Sequence, residues 1–131
     1  MSLLLKQRSK QKDNKMKNLN LLIIDDDEQI TRMLSRVMKN TWKSITVKHS
    51  CDDGLIALQN GNFDIILSDW DCPQKADGLK IVQHSTIPFV IYTANYTLKY
   101  DMPNIHILTK PCDVCEIYDA LVTEWINKCL T

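Results

Sequence analysis

Five short apolar runs, Leu21–Asp25, Ser44–His49, Asp64–Asp69, Phe89–Thr93 and Ile105–Thr109, recur along the chain with helical patterns between most of them. Short runs dense in Ile, Leu and Val, with little polar alternation, are the signature of strands buried on both faces. Between the first two, Ile30, Met33, Leu34, Val37 and Met38 fall at i, i+3, i+4, i+7 and i+8, which makes Glu28–Asn40 one amphipathic helix. Ser50-Cys51-Asp52-Asp53 has the form of a capping box opening a short helix through Leu58, with Gly61 closing it. Asp113 and Glu116 open the last helix, whose stripe is Val114, Ile117, Leu121, Val122, Trp125 and Cys129. Gly78–His84 reads as a brief helix, and the segment between Thr93 and Ile105 has room for a turn or two more. Strands alternating with helices specify an α/β fold, a single doubly wound five-stranded parallel sheet with helices on both faces. Right-handed crossovers then bring the carboxyl ends of all strands to one edge, where open α/β sheets bind their ligands.

The length of 131 residues suits one domain with a real core. With 44% hydrophobic and 24% charged residues the composition is that of an ordinary soluble protein. The longest apolar runs are far too short to span a bilayer, and only a run of three leucines, Leu3–Leu5, stands before the first charges, so neither a membrane segment nor a signal peptide is expected. Five cysteines without an export signal read as free thiols in a reducing cytoplasm. The net charge of zero hides an asymmetry: residues 1–20 carry six basic side chains against Asp13 alone. Residues 1–17 are therefore expected to be a basic, flexible tail without assigned function, and 18–131 the domain. No DNA-binding motif is present, so direct nucleic-acid contact by this domain is not expected, nor is membrane binding.

What each strand delivers to the shared edge is specific. The first ends in Asp25, Asp26 and Asp27, the third in Asp69 and Asp71, the fourth in Thr93, and the fifth in Lys110 followed by Pro111. Like-charged carboxylates at about 4 Å repel by on the order of 4 kcal/mol at an effective dielectric near 20. A chain that gathers them must keep them apart or place a cation among them. Mg²⁺, a hard cation with oxygen ligands, would remove that repulsion. One remaining carboxylate could then attack a phosphorus atom to form an acyl phosphate. Negative charge spread over three equatorial oxygens needs electrostatic cover, which the metal, Lys110, and the Thr93 hydroxyl with the Ala94 backbone N–H could share.

The elements LLIIDDDE, FDIILSDWDCP, PFVIYTA and HILTKP, in that order, resemble the CheY-like receiver domain of two-component response regulators. The likeness runs from about Asn18 to Leu130. It implies the flavodoxin-like strand order 2-1-3-4-5. It implies that Asp69 accepts phosphate from the phosphohistidine of a sensor histidine kinase or a histidine phosphotransfer protein. It also implies that Mg²⁺ is held by Asp25, Asp26, Asp69 and the Asp71 backbone carbonyl. Thr93 would be the switch hydroxyl and Lys110 the phosphate-sensing cation, on a cis peptide to Pro111. Such a domain promotes its own phosphotransfer and dephosphorylation without turning over a substrate, so it is not expected to be an enzyme in the ordinary sense. The downstream effector is not legible, a homodimer is allowed, and the chain reads as a stand-alone receiver or part of a longer regulator.

Three departures from the family pattern stand out. Ile107 occupies the position three before the lysine where Tyr or Phe is usual, which weakens the linked threonine–aromatic movement as the output. The intervals from Asp69 to Thr93 and from Thr93 to Lys110 are short, so the third and fourth helices should be stunted.

Other readings remain open at this point. Asp26 and Asp27 could simply cap the following helix, Thr93 could be an ordinary strand residue, and Lys110 a surface lysine. The Asp71 side chain could tune hydrolysis of the phosphate rather than bind metal. Cys112-Asp113-Val114-Cys115 could be a redox CxxC at a helix start, although zinc would want a second pair. Trp125 reads as core, Trp42 as a turn residue covering the sheet edge, and Trp70 as a neighbour of the nucleophile. His49 and His106 read as strand residues. A phosphorylation-independent interaction module is one alternative function. A small phosphatase of the haloacid dehalogenase type is another, although there the acidic pair follows the lysine and here it comes first.

Overall fold

The computed structural model describes residues 16–69, 86–94 and 105–130, with Ile105 described by its backbone alone. In chain order the elements are β1 (Asn20–Ile24), α1 (Glu28–Val37), β2 (Ser44–Lys48), α2 (Cys51–Asn60), β3 (Ile65–Ser68), β4 (Phe89–Thr93), β5 (Ile105–Thr109) and α3 (Val114–Cys129). The five strands form one parallel sheet in the order β2-β1-β3-β4-β5. This is the expected architecture. The brief helix expected at Gly78–His84 and any turn between residues 95 and 104 lie outside the described residues, and so does the tail before Met16.

Alternation along the strands sorts their side chains into two layers, because successive strand residues point to opposite faces. Leu21, Ile23, Ile65, Leu67, Val90 and Tyr92 meet Leu34 and Met38 beneath α1 and Ile117 and Leu121 of α3. Leu22, Ile24, Ile66, Phe89 and Ile91 form the opposite layer with Cys51 of α2. Full burial of an Ile or Leu side chain stabilises by about 1.5–3 kcal/mol. Both sides of the sheet therefore hold it together. Gly54 lets α2 approach closely: a Cβ there would lie 2.5 Å from Ile24 Cδ1, a side chain that is itself fully buried.

Local chemistry starts the helices where the sequence predicts. Asp27 caps α1 by accepting from the N–H groups of Gln29 at 3.0 Å and Ile30 at 3.2 Å. Ser50 caps α2 through Asp53 N–H at 3.1 Å, and Asp113 caps α3 through Glu116 N–H at 2.8 Å. Ends and stripes differ in places. α1 stops at Val37 rather than Asn40, and Met33 and Val37 are 42% and 59% exposed. The inward row is Ile30, partly buried, then Leu34 and the cap residue Met38, both buried and spaced by four residues, so the other apolar positions overhang into solvent. Cys129 is likewise exposed, lying in the last turn beyond the reach of the sheet. Met16, which the sequence assigns to the tail, is fully buried in the α1/α3 layer.

Candidate functional site

Parallel register sets the site. Ile24 of β1 pairs with Lys48 of β2 and Ser68 of β3, and Thr93 of β4 pairs with Thr109 of β5. The next residues, Asp25, Asp69, Ala94 and Lys110, therefore emerge along one edge. Backbone bonds extend the ladder into them: Asp25 N–H donates to the Lys48 carbonyl at 3.0 Å, Asp69 N–H to Ile24 at 2.9 Å and Lys110 N–H to Thr93 at 2.8 Å. Asp25 is fully buried, Asp69 is 9% exposed and Thr93 is fully buried. Asp26 and Ala94 face solvent.

One carboxylate oxygen from each of Asp25, Asp26 and Asp69 lies within 4.8 Å of the others. Lys110 Nζ stands 3.2 Å from Asp69 Oδ2 and 3.4 Å from Asp25 Oδ2, and its peptide bond to Pro111 is cis. Burial alone would lower the Lys110 ammonium, but the charges of Asp69 and Asp25 outweigh it and hold the group above the ordinary lysine value. Lys110 is therefore a fixed cation at neutral pH, and no ordinary surface lysine. The three acids offer only hard oxygen donors, one from a side chain sealed from water, and that set suits a hard divalent cation.

The aspartate triplet divides its work. Asp27 is the helix cap, and its own N–H donates to Asp25 Oδ1 at 2.9 Å, which fixes that carboxylate. Asp26, which could have been a cap, joins the acidic cluster instead. Asp71 and Trp70 lie outside the described residues. Ile107 is half-buried in the α2 layer, packed with Phe89 and Ile91 as a plain aliphatic.

Reasoning from sequence overlooks Tyr92. Its hydroxyl donates to Asp25 Oδ2, and Lys110 Nζ sits 4.4 Å from its ring centroid. Burial first, then the bond to Asp25 and the charges of Asp25, Asp69 and Asp27, push the hydroxyl far above the ordinary tyrosine range, so it is always a donor here. One signal was available: Tyr92 is the lone polar-tipped aromatic in the run FVIYT, at the end of a strand that feeds the site.

His49 Nδ1 meets the Asp25 carbonyl at 3.1 Å, and His106 Nδ1 lies 3.4 Å from Glu124 Oε1 on α3. Among the described residues, neither histidine joins the acidic cluster. Cys112 precedes the α3 cap, and its thiol is pushed up by burial first and then by Glu116 and Asp113, against a smaller opposing effect of Lys110. That is opposite to the activated thiol a redox CxxC requires. At pH 7.5, iodoacetamide should label the exposed Cys115 and Cys129 at least about ten-fold faster than Cys112, with buried Cys51 protected until unfolding. Peptide mass spectrometry reads the order, and a Cys112 that labels first would restore the redox reading.

No protein-family model matches the chain. Among curated proteins, the transcriptional regulator NtrC of Klebsiella pneumoniae is 32% identical over 115 residues, which is 80% of this chain and 24% of NtrC. Chemotaxis protein CheY-3 of Vibrio cholerae is 33% identical over 72 residues, 51% of this chain and 54% of that protein. The signal receiver domain of an HD domain-containing protein from Pseudomonas fluorescens superposes with a TM-score of 0.75 at 19% identity, covering 88% of this chain and all of that one. The chain is a CheY-like response-regulator receiver domain. It spans between 23% and 54% of the length of the curated relatives it matches. In this receiver the acidic cluster and Lys110 occupy the carboxyl edge where the sequence motifs locate them, and Tyr92 is an addition to that set. No helix among the described residues is long and apolar enough to cross a membrane.

Proposed function

We propose that this receiver accepts a phosphoryl group on Asp69 from the phosphohistidine of a sensor histidine kinase or a histidine phosphotransfer protein, in a Mg²⁺-dependent step, and thereby modulates a partner in the cytoplasm. One observation carries the reading: three carboxylates within 4.8 Å of one another, with Lys110 3.2 Å from Asp69. Asp25, Asp26 and Asp69, with the Asp71 carbonyl, are the residues that would hold the ion. Bound there, Mg²⁺ supplies positive charge to the carboxylates and to one phosphoryl oxygen.

The chain's own residues do the rest. An Asp69 carboxylate oxygen attacks phosphorus as the bond from phosphorus to the histidine nitrogen breaks, and the imidazole leaves neutral after protonation. Lys110 turns from its carboxylate partners to a phosphoryl oxygen, and the Thr93 hydroxyl with the Ala94 N–H can serve another. Attack of water on phosphorus later returns the carboxylate and inorganic phosphate. No separate substrate is turned over. Positioning and charge carry such a transfer, as for phosphoryl transfers generally.

Incubation with acetyl phosphate should add one phosphoryl group in Mg²⁺ and none in EDTA. The adduct should be labile to hydroxylamine, as an acyl phosphate is, and should map to the peptide holding Asp69. Absence of any adduct in saturating Mg²⁺ would leave an interaction module that works without phosphate.

A further inference from the structure

Asp25 is fully buried, so each of its carboxyl oxygens must be satisfied. A carboxylate offers about four lone-pair positions. Oδ1 accepts from Asp27 N–H at 2.9 Å. Oδ2 accepts from the Tyr92 hydroxyl and lies 3.4 Å from Lys110 Nζ. Among the described residues, Oδ2 is thus saturated and Oδ1 keeps one position. The ring that carries the hydroxyl also seats the ammonium, 4.4 Å above its centroid, well inside the range of a cation–π contact. Tyr92 therefore touches two members of the site by two different chemistries, while itself 2% exposed and part of the core cluster that holds Leu67, Val90 and Leu121.

We propose that Tyr92 is a positioning residue of the acidic site: its hydroxyl closes Asp25 Oδ2 and so turns the remaining Oδ1 position toward the cation, while its ring holds Lys110 between Asp25 and Asp69. The inference rests on the metal-assisted reading above and extends it to a motif residue, Tyr92 of PFVIYTA, to which the sequence assigned no role. It also ties the site to the core. With Ile107 a plain aliphatic, the aromatic that contacts the switch lysine is on β4, directly before Thr93.

The test is Tyr92→Phe, which keeps ring and packing and deletes only the hydroxyl. Mg²⁺ binding is measured by titration calorimetry without phosphodonor, with circular dichroism confirming the folded state. Loss of a residue that orients a metal ligand typically costs about 10- to 100-fold in affinity, and that is the weakening expected. Ile117→Val, in the same core but not a member of the acidic cluster, should lower stability and leave affinity unchanged. An affinity for Tyr92→Phe within two-fold of the unaltered chain overturns the inference alone. If the unaltered chain itself binds no Mg²⁺, the metal reading falls and the inference with it. A measurement without substitution stands beside these: in fluorotyrosine-labelled protein the Tyr92 resonance should shift on Mg²⁺ saturation, and an unmoved resonance counts against the proposal.

Discussion

Asp69→Asn is expected to abolish phosphorylation by acetyl phosphate while making the metal-free protein more stable. The first effect follows from chemistry. The amide has the size of the carboxylate and keeps its place after β3, but it has no anionic oxygen to attack phosphorus. Incorporation should fall below detection by hydroxylamine-sensitive labelling. The second effect follows from charge. At the 4.8 Å limit of the cluster, each like-charge pair costs about 3.5 kcal/mol at an effective dielectric near 20. Neutralising residue 69 removes two such pairs, with Asp25 and Asp26. It also forfeits the attraction of Lys110 at 3.2 Å, about 5 kcal/mol on the same scale. The balance favours the variant by about 2 kcal/mol, so its melting temperature without metal should rise and its gain on adding Mg²⁺ should shrink. A variant that still takes up phosphate would move the acceptor elsewhere. A variant less stable than its parent would mean that Lys110 already neutralises the cluster unaided.

The carboxyl end of the sheet was legible because chemistry and geometry coincide there. A polar residue directly after an apolar strand has only one place to go when all strands are parallel, so Asp25, Asp69, Thr93 and Lys110 could be assigned to one edge before any distance was known. Strand bounds were accurate to one residue for the same reason: the apolar runs end where the strands end, as at Ile24 followed by Asp25. Caps were legible because a side-chain acceptor at Asp27, Ser50 or Asp113 satisfies an N–H group only a few residues away.

What escaped the sequence depends on which face a residue occupies. In a run without polar alternation, such as FVIYT, no pattern marks the two sides. Nothing in the spacing says that Tyr92 shares a layer with Leu21 and Ile23 and so points up toward Asp25. The helix α1 failed in the complementary way. Its apolar set is wider than the sheet it covers, and the pattern cannot show that Met33 and Val37 overhang the contact. Trp42 is a third case, since a turn residue outside any periodic pattern gives no cue to its depth.

Trp42 is 5% exposed and belongs to the α1/α3 layer, with its ring 6.5 Å from that of Tyr118 and inclined at 76°. It does not merely cover the sheet edge. It closes the bottom of the core between the end of α1 and α3, where Lys43 N–H ties the same turn to Leu19 at 2.9 Å. Truncation of a buried Trp to Ala costs about 3–5 kcal/mol, the lost transfer energy plus the cavity left behind. Against a typical total of about 5–15 kcal/mol, that is a large share of the stability. With a urea slope of about 1–3 kcal/mol per molar, the midpoint of Trp42→Ala should fall by about 2 M. Trp42→Phe should lose much less. It retains an aromatic against Tyr118 and removes an indole N–H that is buried without a hydrogen-bond partner among the described residues. That N–H costs free energy in the native state that the smaller ring does not. Two equal losses would show that volume alone matters at this position. An Ala variant that unfolds within about 1 kcal/mol of the unaltered chain would return Trp42 to the surface, and with it the claim that the turn after α1 is part of the core.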